Sequence, residues 1–424
     1  MTGGPDDGMT VNCTLIIFGS TVLPSYRPTL LPPYPPTPTP ATMPPSHSTA
    51  RRLLIGALCL AACKPERVVT GDPFGTGNDP LSQWSLPVAS AEPVILDVPT
   101  YDASGQSVHP DVVLFPNRWH GARYWLAMTP YPGGSSSLEN PSLLESDDGI
   151  SLTVPAGVHN PLVQPLNRTG YNSDPDLIYD PAQDELVLSY RVVADGVNTI
   201  KIITSRDGVS WSEPRVAFSE MNHSAVSQSI VPAVHGVPPL AWYVDAGPNG
   251  CTAVSTRVMT RAAVAAPISL GAAQWSKARA TDLTIPGYQP WHIKVSYIPS
   301  KREYWALVAA YPSDGRGCGS DDLFLSHSRN GVHWETFPQP LMRHEDHWWS
   351  SGALYRGAFL YDPKTDQLAI WFSARADYTW RMLFVQMNYT ALAAQLARTP
   401  APLAAAPAPA QPTASLREIW ATAP

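Results

Sequence analysis

Charge is what this sequence has little of. Its 424 residues include 28 Lys and Arg and 35 Asp and Glu, 15% in all, where about a quarter is usual. A coiled coil and a highly charged disordered chain are excluded. The balance is acidic, with a net charge of −7, so there is no basic footprint for nucleic acid. The apolar run Leu53 to Ala62 is too short to span a bilayer. Cysteine is scarce, at five residues. What the chain does have is proline, 46 residues, roughly twice the usual share, which makes long helices a poor fit. It also has 14 Trp, 17 Tyr and 44% apolar residues, enough for a large core. Length alone suggests two or three domains, a soft prior that an all-β ring overrides.

The prolines are unevenly placed. Eleven fall in residues 1–50 and six in 391–424, and Leu31 to Pro40 (LPPYPPTPTP) reads as extended polyproline. Arg51 and Arg52 precede the short apolar run, which ends in Leu60-Ala61-Ala62-Cys63. That tetrapeptide resembles the bacterial lipobox, and the resemblance implies a signal peptide over 43–62 with lipidation at Cys63. Residues 1–42 are then an upstream extension, 63–92 a lipidated tether and 391–424 a disordered Ala/Pro-rich tail. The expected location is the bacterial cell envelope, periplasmic or surface-facing, with the membrane touched through the lipid only. Beyond Cys63, the mature chain keeps Cys251 and Cys318, an even pair in an oxidising compartment and an expected disulfide. They occupy the same inter-strand loop in neighbouring repeats.

Between the tether and the tail the chain repeats. The octad His109-Pro110-Asp111-Val112-Val113-Leu114-Phe115-Pro116 shares its layout with Asp174 to Pro181, His292 to Pro299 and Arg356 to Pro363. Each is followed by an apolar strand, YWLAM, LVLSY, YWALV or LAIWF. The starts lie 65, 118 and 64 residues apart; the long gap is two periods, and Gln228 to Val234 before LAWYV supplies the missing copy. A second element recurs as Ser146 to Ser151, Ser205 to Trp211 and Ser328 to Trp334. Its Asp-Gly or Asn-Gly pair predicts a hairpin with positive φ at both turn positions. Four short strands repeated about every 60 residues make a propeller blade. The expected fold is all-β, a single five-bladed β-propeller of four-stranded antiparallel blades over 93–390, with disordered ends. Blades fall at about 109–160, 174–220, 228–275, 292–342 and 356–390, and the segment 94–98 supplies the strand that closes the last.

Five blades, D-P motifs opening innermost strands and S-x-D-G-x-x-W hairpins together resemble the five-bladed propeller glycoside hydrolases, the arabinanase/β-xylosidase and invertase/fructosidase group. The hairpin is also similar to the sialidase Asp-box, one residue shorter. The resemblance implies an acid of the first blade as base or nucleophile, which Asp111 matches. It implies a positioning Asp in the second, matched by Asp174 with Asp176 as competitor. The general acid of the third blade has no match in Gln228 to Val234.

Strand alternation puts the first and third octad residues on one side. The funnel mouth would collect His109, Asp111, Asp174, Asp176, His292, Lys294 and Arg356, with Gln228 or Ser229 from the third blade. Candidates for the missing acid are Glu139, Glu345 and His292. Trp291, Trp348, Trp349 and Tyr288 stand beside these strands, where they could stack on sugar or fill the blades. His344-Glu345-Asp346-His347 matches no strong zinc pattern, so neither a metal ligand nor a cofactor is assigned; an ion held deep in the funnel by Asp or His stays open. The expected partner is a carbohydrate and the expected state a monomer. Two functions follow: a lipid-anchored glycosidase, or a carbohydrate-binding propeller that lacks the acid. A polar plug of internal ion pairs, marking a scaffold, is the third.

Overall fold

The computed structural model describes residues 92–166, 170–233, 238–262, 268 and 275–398. Cys63, the signal peptide, nearly all of the tether and most of the tail lie outside them. Among the described residues, nineteen strands and one α-helix follow in chain order. The first, β1 (Val94–Ile95), precedes five sheets. Blade one is β2 (Ser107–Trp119), β3 (Ala122–Pro130) and β4 (Ser142–Ser146), with an isolated Glu145–Thr153 bridge where a fourth strand would lie. Blade two is β5 (Gly170–Asp180), β6 (Glu185–Ala194), β7 (Val197–Ser205) and β8 (Arg215–Met221). Blade three is β9 (Val226–Val231), β10 (Leu240–Asp245), β11 (Arg257–Ala262) and β12 (Arg279–Ala280). Blade four is β13 (Tyr288–Ile298), β14 (Glu303–Pro312), β15 (Asp322–Ser328) and β16 (Glu335–Thr336). Blade five joins β17 (Ala353–Asp362), β18 (Gln367–Ala376) and β19 (Thr379–Asn388) to β1, which pairs Val94 with Phe384 and Ile95 with Leu383. All pairings are antiparallel. The all-β propeller read from the repeat is the fold observed, its first blade showing three strands among the described residues.

The helix α1 (Tyr389–Leu396) extends the folded part past 390. Asn388 caps it by accepting from the Ala391 amide, and Leu392 and Leu396 are buried against blades four and five.

The core is built between blades rather than within them. One apolar cluster joins blades one and two through Trp125, Leu143, Leu177 and Leu188; others join two to three, three to four, four to five and five to one. A blade buried on both faces needs apolar residues at successive positions. That is why the second strands read YWLAM or LAIWF without alternation. Cys251 and Cys318 form the expected disulfide between loops of blades three and four, with Cα atoms 5.2 Å apart.

Candidate functional site

Every innermost strand loses its pairing register at the same place: between Val108 and Asp111, Ser173 and Asp176, Val226 and Ser229, Pro290 and His292, and Leu354 and Gly357. These are β-bulges, which re-aim side chains next to active sites. Pro110, Pro175 and Pro290 explain three of them, because proline has no N–H for a ladder and is tolerated in a sheet at bulges. Three bulge residues carry positive φ: His109 (57°), Asp174 (50°) and Ser227 (52°). None is glycine, so each stores about 1 kcal/mol or more of backbone strain. The bulge also changes what plain alternation predicted. The octad residues do not form one set; they form two.

The first set closes the axis. Lys294 Nζ lies 2.7 Å from Asp111 Oδ2 and 2.9 Å from Asp176 Oδ1, and an Arg356 amine lies 3.3 Å from Asp176 and 3.7 Å from Asp111. All four side chains are buried. Amides of Val112 and Leu177 donate to Asp111, and that of Ile230 to Asp176. Burial pushes Asp111 up to about 7, with Lys294 opposing and Asp176 adding to the rise. Burial works on Asp176 too, but Lys294 and Arg356 outweigh it and hold that carboxyl below its usual range. Both acids are paired with cations and backbone amides at the axis, apart from the other octad residues. On the far side of the axis an apolar cavity of about 200 Å³, lined by Leu114, Leu177, Tyr179 and Tyr297 among others, has Lys294 in its wall.

The second set lies at the mouth, where His109, Asp174 and His292 converge. One donor atom from each lies within 4.8 Å of the others. His109 Nε2 stands 3.1 Å and His292 Nδ1 3.6 Å from Asp174 Oδ1, yet none of these three buried atoms has a hydrogen-bond partner. His109 Nδ1 is 3.0 Å from Thr129 Oγ1; with the ring proton donated there, the Nε2 lone pair faces Asp174. Burial lowers His109 to about 3 and His292 well below the usual imidazole range. Both rings are therefore neutral, the form that binds metal. Asp174 remains a carboxylate: burial opposes ionisation, but Arg191, with Nε 2.7 Å from Oδ2, outweighs it. The Ser227 amide also donates to Oδ2, at 3.0 Å. Two neutral imidazoles and a carboxylate with an unfilled oxygen fit a divalent transition-metal ion, and Thr129 is the outer partner that orients one ligand.

Glu139 completes the mouth. It lies on the loop between β3 and β4 and is 4% exposed, not the solvent-facing charge that a loop position suggests. Burial, then the neighbouring Asp174, push its carboxyl well above the ordinary range, against Arg191. Two nearby carboxyl groups are thus shifted in opposite directions, Glu139 up and Asp174 down, the division that acid–base chemistry needs. Tyr355 covers both imidazoles, with ring centroids 4.2 Å from His292 and 5.2 Å from His109. Its hydroxyl takes the Trp291 indole N–H at 3.4 Å.

The other candidates lie elsewhere. Glu345 is exposed, and its recorded partner is His344 Nε2 at 3.8 Å. Trp291 is buried and packs edge-on to His292. Trp349 is buried in the core between blades four and five. Tyr288 donates to Asp322. Trp348 stays exposed on the loop entering blade five. Gln228 Nε2 donates to the Asp174 carbonyl, and Ser229 Oγ to that of Val295; both brace the strands. Sequence reasoning missed Arg191, Thr129 and Tyr355. Arg191 follows LVLSY with no motif of its own, and Tyr355 precedes the octad start Arg356 by a single residue.

No protein-family profile matches the chain. Over 326 residues it is 26% identical to the A type blood N-acetyl-alpha-D-galactosamine deacetylase of Flavonifractor plautii, across 66% of this chain and 42% of that protein. The chain therefore spans less than half the length of this relative. The solved structure of an N-acetylgalactosamine deacetylase from F. plautii in complex with blood group B trisaccharide matches with a TM-score of 0.66 at 22% identity, over 72% of this chain and 97% of that one. The likeness is one of fold. An α-L-arabinanase of Penicillium chrysogenum complexed with arabinobiose gives a TM-score of 0.46 at 12% identity, over 72% and 99% of the chains.

Proposed function

We propose that this chain is a carbohydrate deacetylase, a hydrolase that removes the acetyl group from an N-acetylated sugar bound at the propeller mouth. The observation that carries the reading is the convergence of His109, Asp174 and His292, three buried donor atoms without partners. The activity in the relative's name agrees with it. These three residues would hold a divalent cation, which when bound supplies Lewis-acid polarisation of the amide carbonyl and a more acidic water.

The chain's own groups do the rest. Arg191 and the Ser227 amide fix the second oxygen of Asp174 and leave the first for the ligand. Glu139 handles the proton: its carboxyl, held protonated by burial, gives one to the departing nitrogen and recovers the one lost by the water that attacks the acetamide carbon. The C–N bond breaks as the C–O bond forms, giving acetate and a free amine. Tyr355, whose hydroxyl oxygen already accepts from Trp291, keeps its own proton for a substrate oxygen.

A specific observation favours a second reading, cleavage of the glycosidic bond. Asp174 and Glu139, one ionised and one neutral, are the acids that would carry it, rather than Asp111. One experiment separates the two: incubation of the zinc-loaded protein with blood group A tetrasaccharide, assayed for acetate and for free monosaccharide. We expect acetate, lost at least a thousandfold in Asp174→Asn and His292→Ala and on chelation. Monosaccharide without acetate selects glycosidase action, and no product from a wider N-acetylhexosamine panel refutes catalysis. Lipidation at Cys63 belongs to the same proposal; the Cys251–Cys318 bond supports an oxidising compartment, and release of the expressed chain without detergent would sink the anchor.

A further inference from the structure

Blade five presents two large aromatic side chains to solvent on the mouth side. Trp348 is 69% and Tyr378 81% exposed. Both positions follow from the strand order: β17 runs away from the mouth, so the segment that enters it, Trp348 to Gly352, lies at the mouth, as does the β18–β19 hairpin. Backbone contacts agree, since the Gly352 amide donates to the Arg375 carbonyl at 2.9 Å, at the end of β18. Asp377 and Tyr378 both have positive φ (50° and 60°), so a tight turn holds the Tyr378 side chain at the hairpin tip.

A single exposed aromatic needs no explanation, but these two flank the start of β19, where Trp380 leads back to the candidate site. The Tyr355 ring, 4.2 Å from that of His292, lies 5.1 Å from that of Trp380. Trp380 in turn packs against Tyr131 at 5.6 Å, with the Arg375 guanidinium 5.5 Å from its ring. One residue either side of Trp380 come Arg381, whose guanidinium is 5.6 Å from the Trp348 ring, and Thr379, next to Tyr378. The cation steadies the indole from one side and leaves most of the ring to solvent. An exposed, propped indole offers the flat apolar surface on which the C–H face of a pyranose stacks, and the neighbouring guanidiniums can donate to its hydroxyls.

We propose that Trp348, with Tyr378 and Arg381, is a rim subsite that binds the second or a later sugar ring of a carbohydrate chain whose terminal N-acetyl sugar occupies the mouth. This rests on the carbohydrate reading above and adds a length requirement: the substrate is an oligosaccharide laid across blade five. The test compares binding of blood group A tetrasaccharide and of methyl α-N-acetylgalactosaminide to the full chain by calorimetry. The wild type binds the tetrasaccharide about tenfold more tightly; Trp348→Ala removes that advantage and leaves monosaccharide affinity unchanged, and Tyr378→Ala reduces it in part. A wild type without the advantage, or a Trp348→Ala variant that retains it, overturns the proposal. Acetate release in the same samples keeps the two readings apart. A Trp348-dependent preference without acetate sinks the catalytic reading alone, and acetate release with a preference indifferent to Trp348 sinks the rim subsite alone.

Discussion

Asp148, Asp207 and Asn330 occupy the same turn in three blades, and together they isolate what a charge adds there. Each uses one side-chain oxygen to accept two backbone amides at 2.7–2.9 Å: Ile150 and Ser151, Val209 and Ser210, Val332 and His333. The turn is a side-chain-capped loop, so it does not need the two positive-φ residues that the Asp-Gly pair suggested. Only the glycines, at 78°, 75° and 72°, adopt that region. Asp207 is held at about 2, chiefly by the Ser210 amide; Asp148 is also at about 2, where burial is outweighed by the amides of Ser151 and Ile150. A folded-state value below the unfolded one stabilises above about pH 4, and that increment is lost as pH falls toward 2. Asn330 shows that an amide makes the same bonds without titrating. Asp207→Asn should therefore keep the turn, be slightly less stable than the wild type at pH 7 and lose less stability between pH 4 and 2, measured by urea unfolding across that range. A loss as steep as in the wild type would show that the carboxylate contributes nothing there.

The strand and the turn meet between blades, and this is where sequence reading reached its limit. Trp371 of β18 donates to the Gly149 carbonyl at 2.7 Å, and Trp242 of β10 to that of Gly331 at 2.9 Å. The Trp125 ring lies where a side chain on Gly208 would go, 2.3 Å from the Cβ position. Each capped turn docks on the tryptophan of the preceding blade. The strands and the glycine turns were both legible, because periodicity and turn chemistry are local. Their partnership was not, since Trp371 and Gly149 lie 222 residues apart. Gly196 supplies the control: its φ is also +75°, but nothing lies within 4 Å of its Cβ position. We expect Gly208→Ala to cost about 2–4 kcal/mol and Gly196→Ala about 1, read from denaturant midpoints. Equal losses would mean that backbone strain, not the tryptophan, sets the cost.

At the scale of the ring, the axial residues were legible because they begin recurring octads; their division was not. Spacing could not show that the bulges separate Asp111 and Asp176 from Asp174, nor that Arg191 reaches the mouth from β6. The two sets make different predictions. Lys294→Met leaves Arg356 alone to face two buried acids and should destabilise the fold by about 3–5 kcal/mol. Calorimetry at neutral pH checks this, and an unchanged melting temperature would show that the plug is dispensable. The same plug makes the five repeats, alike in outline, impossible to exchange. Blades one and two bring an acid to the axis, three brings Ser229 and Gln228, and four and five bring a base. A ring assembled from five copies of any one charged blade would face like with like at its centre, and a sixth blade would find no counter-charge. The repeats share an outline, but the charges they bring to the axis fix their order.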